Sequence, residues 1–131
     1  MAQTARPLSP HMSIYRWQIQ MVVSLLHRAT GIALAVGSVA LICGLMALAK
    51  GPESWAAFAR CAGSPLGQIA LVGWTWSLCL HLLNGLRHLV EDFGLAFQIK
   101  QFIMTGWATV IGSLILTGAI WACVLCCGGA A

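Results

Sequence analysis

Charge is what this sequence has least of. Only 8% of its 131 residues are Asp, Glu, Lys or Arg, and Asp plus Glu number just 3: Glu53, Glu91 and Asp92. A soluble domain carries roughly a quarter charged residues, so the shortage excludes an ordinary globular enzyme. Together with 60% hydrophobic residues it indicates a small integral membrane protein. The 7 Lys and Arg that give a net charge of +4 are scattered, which argues against a nucleic-acid surface. With so few polar side chains, any chemistry depends on a bound cofactor or a partner subunit.

The 6 cysteines do not make a disulfide framework, because Cys43, Cys79, Cys123, Cys126 and Cys127 fall inside apolar runs and read as small lipid- or helix-facing residues. Cys123 and Cys126 form a CxxC on one helix face. It has no neighbouring histidine, acid or second pair, so it is not read as a redox or metal site. A removable signal peptide is not expected either. The first apolar run follows a polar segment with Pro7, Pro10, Tyr15 and Trp17, and no small-residue cleavage site follows it.

Three apolar runs remain, each close to the ~20 residues that cross a bilayer core. They predict an all-α integral membrane chain with one membrane-anchor domain over 1–131 and spans at about 21–49, 66–90 and 102–127. Residues 1–20 form a cytoplasmic or interfacial segment. Its Arg6-Pro7-Leu8-Ser9-Pro10-His11 part is extended and turn-prone, and its Ile14-Tyr15-Arg16-Trp17 part suits the headgroup layer. Lys50-Gly51-Pro52 ends the first span, and Ser64-Pro65 opens the second in cap-then-proline order. The loop between carries a short helical pattern from Trp55 to Arg60, and 91–101 make a short polar connection.

Arg6, Arg16, Arg28, Arg87 and Lys100 lie on one side of this topology, and Lys50 and Arg60 on the other. Positive charge favours the cytoplasmic face, so the N-terminus is expected there. Ser24, His27 and Arg28 at the start of the first span then share a depth with Arg87, His88 and Asp92 at the end of the second. His81 lies about 10 Å deeper, at about 1.5 Å per residue.

The polar residues gather into two faces. Ser24, His27, Arg28 and Gly31 fall at i, i+3, i+4 and i+7 of the first span. A hydroxyl and a guanidinium one turn apart can hold a small carbonyl compound or anion. On the second span His81, Gly85, His88 and Asp92 share a stripe, while Arg87 points nearer to Asn84. By spacing alone, His81 is equally a metal ligand or a cross-helix hydrogen-bonding group. Were it a haem ligand, Gly85 would leave room for the porphyrin. His88, on the same side of the ring, could not be the second axial ligand, which would come from His27 or another chain. His27, Arg28, Arg87 and His88 could reach the propionates.

These motifs together, Arg6-Pro7-Leu8-Ser9-Pro10-His11 with Ile14-Tyr15, Ser24-Leu25-Leu26-His27-Arg28-Ala29-Thr30-Gly31, and HxxxGxRHLxxD from His81 to Asp92, resemble the cytochrome b556 membrane-anchor family of succinate dehydrogenase, respiratory complex II. The resemblance covers essentially the whole chain. It implies half of a haem-binding helical bundle, in a subunit of an enzyme that has no catalytic activity alone. His81 matches the axial ligand of a haem b shared with a second hydrophobic anchor subunit, which supplies the other ligand. His27, Arg28 and His88 match positions near the propionates, where Arg87 also falls. Ser24 and Arg28 match the ubiquinone-site residues, and Asp92 matches a carboxylate near that site. Asn84 and Glu91 occupy variable positions. The implied partners are that second anchor, an iron–sulfur subunit and a flavoprotein subunit, in a bacterial inner membrane rather than a mitochondrial one. A fumarate reductase-type anchor and a haem-free structural anchor are the alternatives. A small transporter is disfavoured, because no broken-helix repeat is present.

Overall fold

The computed structural model describes residues 10–96 and 98–128. The expected extended stretch from Arg6 to Ser9 and the final Gly129, Ala130 and Ala131 lie outside the described residues. A single 3₁₀ turn, His11–Ile14, precedes four α-helices: α1 (Ile19–Lys50), α2 (Pro52–Gly63), α3 (Pro65–Asp92) and α4 (Ile99–Gly128). No strand occurs among the described residues. Helices α1, α3 and α4 are long and apolar enough to cross a membrane, and each runs one to three residues past the expected span at either end.

Local signals explain where these helices start and stop. Gly51 closes α1 at φ 118°, a backbone region open to glycine, and Pro52 takes the first position of α2, where its missing N–H costs nothing. The segment after α1 is therefore a twelve-residue helix rather than a loop with a short helical pattern. Ser64 caps α3 by accepting the Gly67 N–H at 3.2 Å, with Pro65 next in line. At the other end of α3, Gly94 at φ 78° donates to Glu91 O at 2.8 Å and Leu95 donates to Val90 O at 3.3 Å. That Schellman arrangement stops the helix just after Asp92.

Helix α3 packs along α4 on one side and α1 on the other, while α2 bridges the ends of α1 and α3. The interior is small and polar. Gly106, Thr109, Ser113 and Thr117 recur every three or four residues as the buried seam of α4. Their hydroxyls bond to carbonyls one turn back, and Ser113 Oγ also accepts from Trp76 Nε1 at 3.2 Å. Small side chains let backbones approach, and each buried hydroxyl is satisfied within the fold. Large apolar side chains such as Ile32, Val36, Leu82 and Ile115 face outward instead. This inside-out distribution is stable against lipid and would not be in water.

One close approach positions the site. A Cβ on Gly37 of α1 would overlap the indole of Trp74 on α3, so only glycine lets those two helices lie at their observed separation.

Candidate functional site

Where α1 leaves and α3 returns, three histidines converge. His27 of α1 stacks on His81 of α3 with ring centroids 3.8 Å apart and planes 12° from parallel. His88 of α3 meets His27 edge-on at 5.6 Å. Gly31, one turn beyond His27, makes the stacking possible: a Cβ there would stand 3.2 Å from His81 Cε1.

The His81 ring is held from behind. Its Nδ1 lies 3.2 Å from the carbonyl oxygen of His27 and 3.3 Å from Thr30 Oγ1. Thr30 Oγ1 lies 2.8 Å from Leu26 O and 3.0 Å from His27 O, so its hydroxyl proton is committed to a backbone carbonyl of α1. The His81 proton therefore sits on Nδ1, directed at the His27 carbonyl, and Nε2 keeps a free lone pair. A backbone carbonyl fixing one ring nitrogen is the usual way a ligating histidine is oriented through the other.

Two further observations bear on whether a haem fits. His27 Nδ1 is buried and has no hydrogen-bond partner among the described residues. Gly85, one turn past His81, has no atom of the described chain within 4 Å of where its Cβ would be. A fixed imidazole with an available Nε2, an unsatisfied nitrogen beside it and open space along the same stripe suit a flat ligand coordinated from one side. The residues present fit the group.

The remaining predicted site residues fall into separate places. Ser24 and Arg28 are both exposed on α1, one turn apart. Asp92 is exposed at the last residue of α3. Arg87 is buried and turned toward α4. Its Nη2 is 2.9 Å from Glu91 Oε1, its Nε donates to Thr105 Oγ1 at 3.1 Å, and its guanidinium lies 4.3 Å over the ring of Phe102. His88 is bracketed on its own helix, with Nε2 3.1 Å from Asn84 Nδ2 and Nδ1 3.4 Å from Glu91 Oε2.

Sequence reasoning passed over Glu91 and Asn84, which hold Arg87 and His88, and over Thr30, which backs His81. The pairs Arg87–Glu91 and Asn84–His88 are both i,i+4 on one helix, and that spacing was a usable signal. The contributions of Thr105 and Phe102 depend on which face α4 turns to α3, and local spacing carries no such information.

A small-cored bundle whose three long helices are apolar enough to cross a membrane defines a class, the all-helical transmembrane subunit. The chain belongs to the succinate dehydrogenase/fumarate reductase transmembrane subunit family, which it matches over residues 2–120. It is 40% identical over 116 residues to the succinate dehydrogenase cytochrome b556 subunit of Rickettsia prowazekii, covering 88% of this chain and 90% of that one. Its identity to the subunit of the same name from Paracoccus denitrificans is 40% over 111 residues, 85% of each chain. The mitochondrial cytochrome b560 subunit of Mus musculus is 36% identical over 117 residues, 88% of this chain and 69% of the mouse protein. This chain is accordingly a membrane subunit of an oxidoreductase complex of the succinate dehydrogenase type.

Proposed function

We propose that this chain, over 1–131, is the anchor domain of a succinate:ubiquinone oxidoreductase in a bacterial inner membrane. It shares one haem b with a second hydrophobic anchor subunit and helps to form the ubiquinone-reduction site. The N-terminal segment 1–20 lies on the cytoplasmic side, where the flavoprotein and iron–sulfur subunits dock. The bacterial relatives support that membrane, and the asymmetry of lysine and arginine supports that orientation.

The observation that carries the reading is the fixed His81 imidazole, tied through Nδ1 to the His27 carbonyl at 3.2 Å with Nε2 left available. When bound, the haem supplies a one-electron carrier within the bilayer. His81 would hold its iron from this chain, and the companion anchor would supply a further ligand. Thr30 and the His27 backbone keep the imidazole oriented, Gly31 admits it against α1, and Gly85 leaves room along the stripe. His27, Arg28 and His88 form the polar edge for the propionates, with Arg87 behind them.

Ser24 and Arg28 contribute to quinone binding at the same depth. A hydroxyl and a guanidinium donate hydrogen bonds to a quinone carbonyl oxygen and stabilise the negative charge that develops there on reduction. Asp92 lies at the same end of α3 and is the weaker member of that group. The proton required at the carbonyl comes from another chain.

The test is a reduced-minus-oxidised difference spectrum of the purified complex. His81→Ala is expected to perturb the b-type signal more than His88→Ala does. An unchanged spectrum in the His81 variant refutes the ligand assignment, and a parent complex without a b-type signal would leave a haem-free anchor.

A further inference from the structure

Beside the proposed haem pocket, on which this inference rests, four side chains of α3 close a ring of two hydrogen bonds and two ion-pair contacts. Arg87 Nη1 lies 3.4 Å from Asn84 Oδ1, and Arg87 Nη2 lies 2.9 Å from Glu91 Oε1. His88 joins the other two ends, with Nε2 3.1 Å from Asn84 Nδ2 and Nδ1 3.4 Å from Glu91 Oε2. Asn84 is fully buried and the side chains of Arg87 and Glu91 are 7% and 11% exposed, while His88 closes the open side of the ring with its side chain 50% exposed.

The chemistry of the four groups assigns every proton. A guanidinium only donates, so the Asn84 atom facing it is the amide oxygen. The Asn84 NH₂ therefore faces His88, and it also only donates, so Nε2 must be the bare nitrogen. The ring proton then sits on Nδ1, on the side of the Glu91 carboxylate, whose other oxygen pairs with the charge of Arg87. One neutral tautomer satisfies all four contacts. A doubly protonated ring would set the Nε2 proton against an amide N–H, two donors facing each other.

We propose that Asn84 and Glu91 are positioning residues that hold His88 as the neutral Nδ1–H imidazole with both nitrogens engaged. Glu91 also offsets the charge of Arg87. His88 then presents an uncharged ring edge to His27, and the group of Asn84, Arg87, His88 and Glu91 adds no net charge. Arg28 becomes the one cation among these α1 and α3 residues that is free to meet an anionic group. Asn84 and Glu91 set the electrostatics of the haem edge through His88 and Arg87, without touching the haem themselves.

Two measurements on the assembled complex in membranes test this. The first is the ¹⁵N spectrum of histidine-labelled complex, with the His88 signals assigned by their loss in His88→Gln. The parent is expected to show the Nδ1–H tautomer, and Asn84→Leu is expected to abolish that preference. The second is the haem midpoint potential. Glu91→Gln leaves Arg87 unopposed and is expected to favour the reduced haem by about tenfold, or ~59 mV for one electron; Glu91→Asp should recover most of the shift. Asn84→Leu should shift the potential in the parent but not in a His88→Leu background, where there is no imidazole to release.

An Nε2–H or doubly protonated His88 in the parent overturns the proposal, whatever becomes of the variants. So does an Asn84→Leu shift that persists undiminished without His88. A parent with the Nδ1–H signal and no b-type spectrum would uphold the tautomer assignment and overturn the haem reading, which keeps the two failures apart.

Discussion

Within the histidine cluster, the tightest demand on a single position falls on Gly31. A Cβ there would lie 3.2 Å from His81 Cε1 and 3.7 Å from Nδ1. Carbon atoms rest at about 3.5–4.0 Å, so in Gly31→Ala the imidazole must retreat by roughly 0.3–0.5 Å. It has little freedom to do so. Its Nδ1 is bonded at 3.2 Å to His27 O and lies 3.3 Å from Thr30 Oγ1, and a retreat of that size carries both contacts to about the 3.5 Å limit. One face of the ring is covered by His27 at 3.8 Å. Losing an outer-shell hydrogen bond of a ligating histidine typically costs about 10- to 100-fold in affinity for the metal.

Gly31→Ala is therefore expected to release haem to an apoprotein acceptor at least about tenfold faster than the parent complex, with Gly31→Val worse. Succinate-dependent dye reduction by the soluble subunits should be unchanged. A weakened helix cannot account for the loss, because alanine is about 1 kcal/mol better than glycine in a helix interior. Parental haem content and release rate in both variants would refute the contact between Gly31 and His81 as a determinant of the site.

The other expectations are briefer. Gly85→Leu meets no described atom of this chain at its Cβ, so the fold should persist while the b-type signal falls; a full signal would remove Gly85 from the pocket. Gly37→Ala forces the Trp74 indole away from α1, at an overpacking cost of about 1–3 kcal/mol, and should lower the thermal stability of the complex; adding Trp74→Leu should restore it, and no recovery would place the defect elsewhere. Ser24→Ala and Arg28→Leu should each slow succinate-dependent quinone reduction and spare dye reduction, whereas equal loss of both activities would mean failed assembly.

The three long helices were legible because a bilayer imposes a length and permits almost no charge within it. The meeting of His27 with His88 was also legible, since antiparallel helices bring the start of α1 and the end of α3 together, but the stacking of His27 on His81, expected to lie about 10 Å deeper, was not. The length of α2 was read too short, although Pro52 and Ser64 mark its two ends, because its apolar pattern is brief. Glu91 and Asn84 were passed over as variable positions of a motif, and a motif records what a family shares rather than what one chain has built around it. The contacts of Arg87 with Thr105 and Phe102 depend on the rotation of α4, which only packing decides.

The polar groups at this end of the molecule divide into two sets, and the division locates the missing half of the site. Asn84, Thr30 and the α4 hydroxyls close hydrogen bonds within the chain, and Arg87 and Glu91 pair their charges there. Ser24 and Arg28 are exposed on α1, and beside them His27 Nδ1 is buried without a partner among the described residues. A guanidinium facing hydrocarbon costs about 2.5–3.5 kcal/mol near the centre of a span, and less near its end. Arg28 thus has reason to meet either headgroups or an anionic group carried by another molecule. A lipid headgroup would satisfy Arg28 but could not reach the buried His27 nitrogen, whereas one flat, acid-bearing ligand seated against His81 could meet both.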